Sequence, residues 1–186
     1  MSANVFTFGR MDIKEKIKKA VREVPDFPRP GILFKDITPL VLDSNLSSAI
    51  TEALTEQVWD LRPTALCGIE SRGFLFGVSM AQQLGIPLIL IRKAGKLPGR
   101  TIAVSYELEY GTATVEMHAT DLPVGSRVIV HDDLLATGGT ATAAAELVKR
   151  AGSETVGFSF LTELSFLKGR ARLERVCPEV RSLVTY

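Results

Sequence analysis

Four short apolar runs decide most of what this chain can fold into: Ala65-Leu66-Cys67-Gly68-Ile69, Pro87 to Ile91, Val128-Ile129-Val130 and Val156 to Leu161. None alternates with polar residues, so each must be covered on both faces, which is the mark of a parallel sheet between helices. Stretches of helical character separate the runs. One leads from the loop Glu70-Ser71-Arg72-Gly73 to about Leu84, with Gly85 as C-cap and Pro87 beyond it. Another is alanine-rich and ends at Gly152. Upstream, Ile13, Ile17, Ala20, Val21 and Val24 recur at helical spacing behind Asp12 as N-cap. Pro25, Pro28 and Pro30 end that helix and force an extended segment through Gly31. Leu46, Ala49, Ile50, Ala53, Leu54 and Val58 predict a further helix introduced by Asp43-Ser44-Asn45. Between Thr101 and His118 the pattern alternates around Glu109-Tyr110-Gly111-Thr112, which predicts a hairpin beside the sheet. The class is α/β.

Length and charge narrow the reading further. A chain of 186 residues without internal repeat or linker is one domain, 1–186, with residues 1–11 as a loose arm. A net charge of +1, from 22 cations and 21 anions, creates no global field for nucleic acid or a membrane surface. No run nears the roughly 18 apolar residues of a membrane span, and the first residues lack a signal-peptide core. Cys67 and Cys177 are too few and too far apart for a disulfide framework, so a reducing, cytoplasmic setting is expected.

The chemistry concentrates in residues 128–140. A buried strand emerges into His131-Asp132-Asp133, and the small-residue loop Ala136-Thr137-Gly138-Gly139-Thr140 then opens a helix. Glycines let backbone N–H groups approach a ligand, and the helix N-terminus adds its positive dipole end. That combination suits a phosphomonoester. The acids suit sugar hydroxyls, or hydrated Mg²⁺ through its water shell. A Walker A loop is excluded, because no Gly-Lys-Thr/Ser follows. The loop Glu70–Gly73 is the second strand-to-helix turn, where Arg72 offers a planar fork of donors to phosphate oxygens. In open α/β sheets ligands bind beyond the carboxyl ends of the strands, and both loops fall there. Arg92, Lys93, Lys96 and Arg100 form an acid-free basic stretch, which on its own reads as a solvated face. Glu107, Glu109 and Glu116 on their own read as the hairpin's solvent face, and His131 and His118 as partly buried, hydrogen-bonded histidines.

Residues 128–140 resemble the phosphoribosyl-pyrophosphate (PRPP) motif of type I phosphoribosyltransferases. Other stretches resemble the adenine phosphoribosyltransferase family within them: Pro25-Asp26-Phe27-Pro28 to Asp36-Ile37-Thr38-Pro39, Glu70 to Gly77, Ile91-Arg92-Lys93 with Gly95-Lys96-Leu97-Pro98-Gly99, Leu108-Glu109-Tyr110-Gly111, and Leu167-Lys168-Gly169-Arg170. They occur in the family's order from about residue 12 to the C-terminus. His131 departs from the pattern, where the family usually carries an apolar residue.

The resemblance implies a type I phosphoribosyltransferase fold. This is a mostly parallel central sheet with flanking helices, a base-recognition hood over residues 12–40, and a flexible flap and hairpin over 92–118. It implies transfer of phosphoribose from PRPP to N9 of adenine, giving AMP and pyrophosphate with Mg²⁺. Asp132 and Asp133 would hold the ribose hydroxyls, and Mg²⁺ through water. Ala136, Thr137, Gly138, Gly139 and Thr140 would grip the 5′-phosphate. Ser71, Arg72, Arg92, Lys93 and Lys96 would meet the pyrophosphate. Glu109 would attend to the purine proton and Tyr110 would close over the site, as catalytic residues beside Arg72. Main-chain groups of Leu33, Phe34 and Lys35 would read the exocyclic amine; Leu134 and Leu164 would pack on the ring faces, although each leucine reads equally as core. A homodimer is implied, since one basic residue can come from a partner subunit. A salvage enzyme for 6-oxopurines, and a nucleic-acid-binding regulator that kept the fold, are the other readings; the second lacks a basic face.

Overall fold

A computed structural model describes residues 12–107 and 111–186. The chain divides into two compact units, Met1–Ala49 and Ile50–Tyr186, each with its own architecture.

In the first unit, helix α1 (Ile13–Ala20) starts where expected, at Asp12, whose carboxylate accepts the Lys14 N–H at 3.4 Å. It stops earlier than its spacing predicts. Val21 is already extended, and strand β1 (Arg22–Pro25) pairs antiparallel with β2 (Leu33–Asp36). Pro25 biases Val24 away from helical geometry, and cross-strand pairing then satisfies the backbone that the helix would have used. The Phe27 and Phe34 rings meet edge-on with centroids 5.1 Å apart. A short helix α2 (Thr38–Leu42), which periodicity did not predict, follows Asp36, whose carboxylate accepts the Thr38 N–H and hydroxyl at 2.9 and 2.6 Å. Asp43 then takes the N–H groups of Asn45 and Leu46, both at 3.0 Å, to open α3 (Ser44–Trp59).

The second unit is built on strands β3 (Ala65–Ile69), β4 (Leu88–Lys93), β5 (Thr101–Glu107), β6 (Thr112–His118), β7 (Arg127–Leu135), β8 (Glu154–Glu163) and β9 (Val180–Thr185). Helices α4 (Gly73–Leu84), α5 (Gly139–Arg150) and α6 (Gly169–Leu173) connect them. The seven strands run in the order β5-β6-β4-β3-β7-β8-β9. The β4-β3-β7-β8-β9 pairings are parallel, and the hairpin β5-β6 adds antiparallel to β4. Every side chain of β3 is buried, as its unalternating composition requires. Val128, Val130, Phe158 and Phe160 pack in one cluster with Ala144 and Leu147 of α5. Each large side chain so buried contributes roughly 1.5–3 kcal/mol. No helix among the described residues is long and apolar enough to cross a membrane.

Three strand features differ from expectation. β7 and β8 run past their apolar cores, because ladder pairing continues through Asp132↔Phe160 and Leu134↔Thr162 whatever the side chains are. The acid pair therefore lies on the strand rather than in the loop after it. β9 carries Arg181 and Ser182 and gives no apolar run, yet it forms the sheet's last strand. Arg181 ties it down through Asp60 and Glu179.

His131 is fully buried on β7, with Nδ1 3.0 Å from the Ser159 carbonyl. Burial pushes its pKa down to about 4, against a smaller upward pull from that carbonyl. The unfolded chain, with an ordinary histidine pKa near 6.5, binds this proton while the folded chain does not. Stability is therefore lost as pH falls from about 6.5 towards 4, by roughly 3 kcal/mol for this group. His131→Gln is expected to flatten that limb of a denaturation-versus-pH curve by about one proton. Equal slopes in parent and variant would show that His131 is not the group responsible.

Candidate active site

The two acids stand side by side at the end of β7, with their carboxyls within hydrogen-bond reach of each other. Asp132 is half-buried and lines a pocket with Leu134, Ala136, Thr137, Gly138, Gly139 and Thr140. Asp133 is buried, and its Oδ2 lies 3.1 Å from Arg72 Nε. The Asp133 N–H donates to Asp132 Oδ1 at 2.8 Å. Burial raises both carboxyls above the usual aspartate range. The neighbouring Asp133 charge pushes Asp132 up further, while Arg72 pulls against the rise at both.

The loop between β7 and α5 is brief. Gly138 caps α5 in the left-handed conformation (φ 76°), and its carbonyl accepts the Thr142 N–H at 2.9 Å. The N–H groups of the first turn after it have no partner inside the helix, so they and the dipole present an anion site. Three residues not anticipated for this loop frame it. The Tyr106 hydroxyl lies 2.9 Å from Thr140 Oγ1. A Cβ on Gly139 would stand 3.6 Å from Arg172 Nη1 and 3.4 Å from the Tyr106 ring. Gly169 packs so closely that a Cβ there would lie 2.1 Å from the Ala136 carbonyl oxygen. Gly169 stands in the Leu167-Lys168-Gly169-Arg170 stretch, which is its signal in the sequence; Tyr106 and Arg172 carry none.

Arg170 explains how Gly169 is kept there. Its guanidinium donates to both Glu163 oxygens, at 3.0 and 2.5 Å, and to the Val180 carbonyl at 2.5 Å. Burial opposes ionisation of Glu163, but the Arg170 and Ser182 hydrogen bonds outweigh it and hold the carboxyl below its usual range. A bidentate, charge-assisted pair thus anchors α6 beside the Ala136–Gly138 loop.

The other strand-to-helix loop sits at the end of β3. The Glu70–Ser71 peptide is cis, Ser71 is exposed, and Arg72 is the N-cap of α4. A Cβ on Gly73 would meet the His131 carbonyl at 2.9 Å, so the helix start rests directly on β7. That contact brings Arg72 to Asp133. Arg92 and Lys93 end β4, and Arg92 Nε and Lys96 Nζ each lie 3.1 Å from a Glu70 oxygen. Glu116, expected on the hairpin's solvent face, is instead only 6% exposed. It accepts the Lys96 and Leu97 N–H groups at 3.0 and 3.1 Å. Together with the Thr101 hydroxyl of β5, these donors outweigh the cost of burying the carboxylate, and its pKa lies below the usual range.

Leu33, Phe34 and Lys35 lie on β2 of the first unit, where Lys35 is ion-paired with Glu23. In the second unit, Leu134 lines the pocket, and the half-buried Leu164 donates its N–H to the Leu135 carbonyl at 2.9 Å. Glu109 and Tyr110 lie outside the described residues.

The chain as a whole is similar to known proteins of one family. Residues 41–177 match the model of the phosphoribosyl transferase domain family. The chain is 51% identical over 174 residues to the adenine phosphoribosyltransferase of Cytophaga hutchinsonii, covering 94% of this chain and 96% of that protein. Among solved structures, the adenine phosphoribosyltransferase of Thermoanaerobacter pseudethanolicus superposes with a TM-score of 0.89 at 44% identity, over 92% of this chain and 99% of that one. The Saccharomyces cerevisiae enzyme, crystallised with an imino-altritol bisphosphate and adenine, gives 0.85 at 39% identity, over 92% and 98%.

Proposed function

Because the chain belongs to the adenine phosphoribosyltransferase family, within the phosphoribosyl transferase domain family, we infer that it makes AMP and pyrophosphate from adenine and PRPP. The observation that carries this reading is one pocket lined by both Asp132 and the Ala136–Thr140 loop at the start of α5. A 5′-phosphate fits the loop and the sugar hydroxyls fit the acids, so a ribose phosphate is gripped at both ends. The bond from the anomeric carbon to the pyrophosphate oxygen breaks and a bond to adenine N9 forms. Charge develops on the departing pyrophosphate, and donors placed for developing charge are usually the largest catalytic contribution. Arg72, with Ser71, Arg92, Lys93 and Lys96, supplies them.

Glu109 attends to the proton of the base and Tyr110 closes the site. Main-chain groups of Leu33, Phe34 and Lys35 read the exocyclic amine, and Leu134 and Leu164 contact the ring. Asp132 and Asp133 offer hard oxygen donors that fit a hydrated Mg²⁺ carried by PRPP, acting through its waters. When bound, that ion neutralises pyrophosphate charge. The enzyme works as a cytoplasmic homodimer; free, buried Cys67 and Cys177 accord with a reducing compartment.

The test is an absorbance assay of base consumption with PRPP, with and without Mg²⁺. Adenine is expected to be preferred over hypoxanthine and guanine in kcat/KM by roughly 10⁴-fold, because a site built around an amine donor leaves its acceptors unpaired with an oxo group. Faster use of hypoxanthine would overturn the assignment of the base.

A further inference from the structure

Glu70 is half-buried, charged and unused in the reaction just described. Its side chain is 9% exposed, and three donors converge on it. Oε2 accepts Arg92 Nε and the Lys93 N–H, both at 3.1 Å, while Oε1 lies 3.1 Å from Lys96 Nζ. Arg92 Nη1 also donates to the Lys96 carbonyl at 3.1 Å, locking the two cationic residues together. Burial disfavours the charged carboxyl, yet Lys96, the Lys93 N–H and Arg92 together hold it below the usual range. Glu116 grips the same turn from the hairpin side, through Lys96 N–H, Leu97 N–H and the Thr101 hydroxyl.

Three cations within five residues repel one another and disperse unless an anion gathers them. Glu70 is that anion when no substrate is bound. It is also the residue directly before Ser71-Arg72-Gly73, so the cations it collects are fastened to that loop. We propose that Glu70 is a positioning residue, holding Arg92 and Lys96 beside the Ser71–Gly73 loop so that an incoming pyrophosphate group meets an assembled set of donors. This rests on the reading that those cations bind pyrophosphate. Glu70 touches no substrate and acts through Arg92 and Lys96. Lys96, whose side chain is 52% exposed, is the one freest to exchange Glu70 for the substrate anion. Once PRPP is bound, its own charge keeps the cations gathered. Loss of Glu70 therefore affects binding far more than the chemical step.

The experiment compares the full-length parent with Glu70→Gln and Glu70→Asp. It reads steady-state kinetics for both substrates, calorimetric titration with pyrophosphate, and thermal melting. Glu70→Gln is expected to raise KM for PRPP about tenfold and to weaken pyrophosphate binding by about the same factor, as befits loss of charge-assisted contacts. The adenine KM stays unchanged and kcat stays within about threefold. Glu70→Asp, which keeps the charge on a shorter stem, is expected to fall between Gln and the parent. Unchanged or tighter pyrophosphate binding in Glu70→Gln overturns the proposal, as does a loss spread equally over kcat and both KM values. Should Glu70→Gln fail to fold, Glu70→Asp decides alone: a parental KM for PRPP overturns the proposal. A parent that binds pyrophosphate but does not consume adenine would instead sink the assigned activity, and the titration arm would still judge Glu70.

Discussion

Replacing both acids of β7, Asp132→Asn with Asp133→Asn, is expected to lower kcat/KM by about 10³ or more while leaving the melting temperature within a few degrees of the parent. Each substitution keeps size and shape. Asp132 loses the charged acceptor that faces the pocket beside the phosphate loop. Asp133 loses the counter-charge 3.1 Å from Arg72, so a pyrophosphate donor loses its tether in the same step. Stability should hardly suffer, because burial already raises both carboxyl pKa values, and neutral amides avoid that cost. Arg72 is about one-third exposed, so water screens what its lost partner supplied. The measurement is steady-state turnover alongside thermal unfolding. Parental turnover in the double variant would remove these residues from the mechanism, and a collapse of the melting temperature would make their role structural.

The second large effect belongs to a residue remote in sequence from the motif. Gly169→Ala places a methyl group 2.1 Å from the Ala136 carbonyl oxygen and 2.9 Å from Leu135 Cδ1. The Leu135 methyl can rotate aside, but the Ala136 carbonyl is main chain, so backbone must move. α6 is pinned by the Arg170–Glu163 fork, which leaves the Ala136–Gly138 loop as the part that yields. Overpacking of this kind costs about 1–3 kcal/mol, a fall in melting temperature of roughly 5 °C for a chain of this size. Displacing the loop from a 5′-phosphate should raise KM for PRPP by about tenfold or more. A parental KM for PRPP would mean that α6 plays no part in shaping the phosphate site.

Much of this arrangement is legible before any coordinates. The runs Ala65–Ile69 and Val128–Val130 announce buried parallel strands because a sheet covered on both faces leaves no polar positions. Asp12, Asp43 and Gly85 announce helix ends because capping is local chemistry, complete within three or four residues. The end of α1 is not legible in the same way, because the period of Ile13, Ile17 and Val21 continues past the point where pairing with Leu33–Asp36 takes over the backbone. The burial of Glu116 is hidden from the sequence for a related reason. A carboxylate in an alternating hairpin is solvent-facing by default, and only the turn folding back from Lys96 and Leu97 supplies donors that make its burial favourable.

The order of residues along the chain determined which elements form, where a small-residue loop opens a helix with N–H groups unpartnered within it, and to which family the motifs belong. Tertiary structure decided how those parts are divided in labour. Asp132 lines the pocket beside the Ala136–Thr140 loop while Asp133 meets Arg72, and the approach of α4 to β7 at Gly73 brings that arginine within reach. Packing across long sequence separations sets Gly169 against Ala136, Tyr106 beside Thr140, and Glu70 among the cations of the flap. Local propensity acts over a few residues, whereas ion pairing and close packing depend on which distant segments the sheet order makes neighbours.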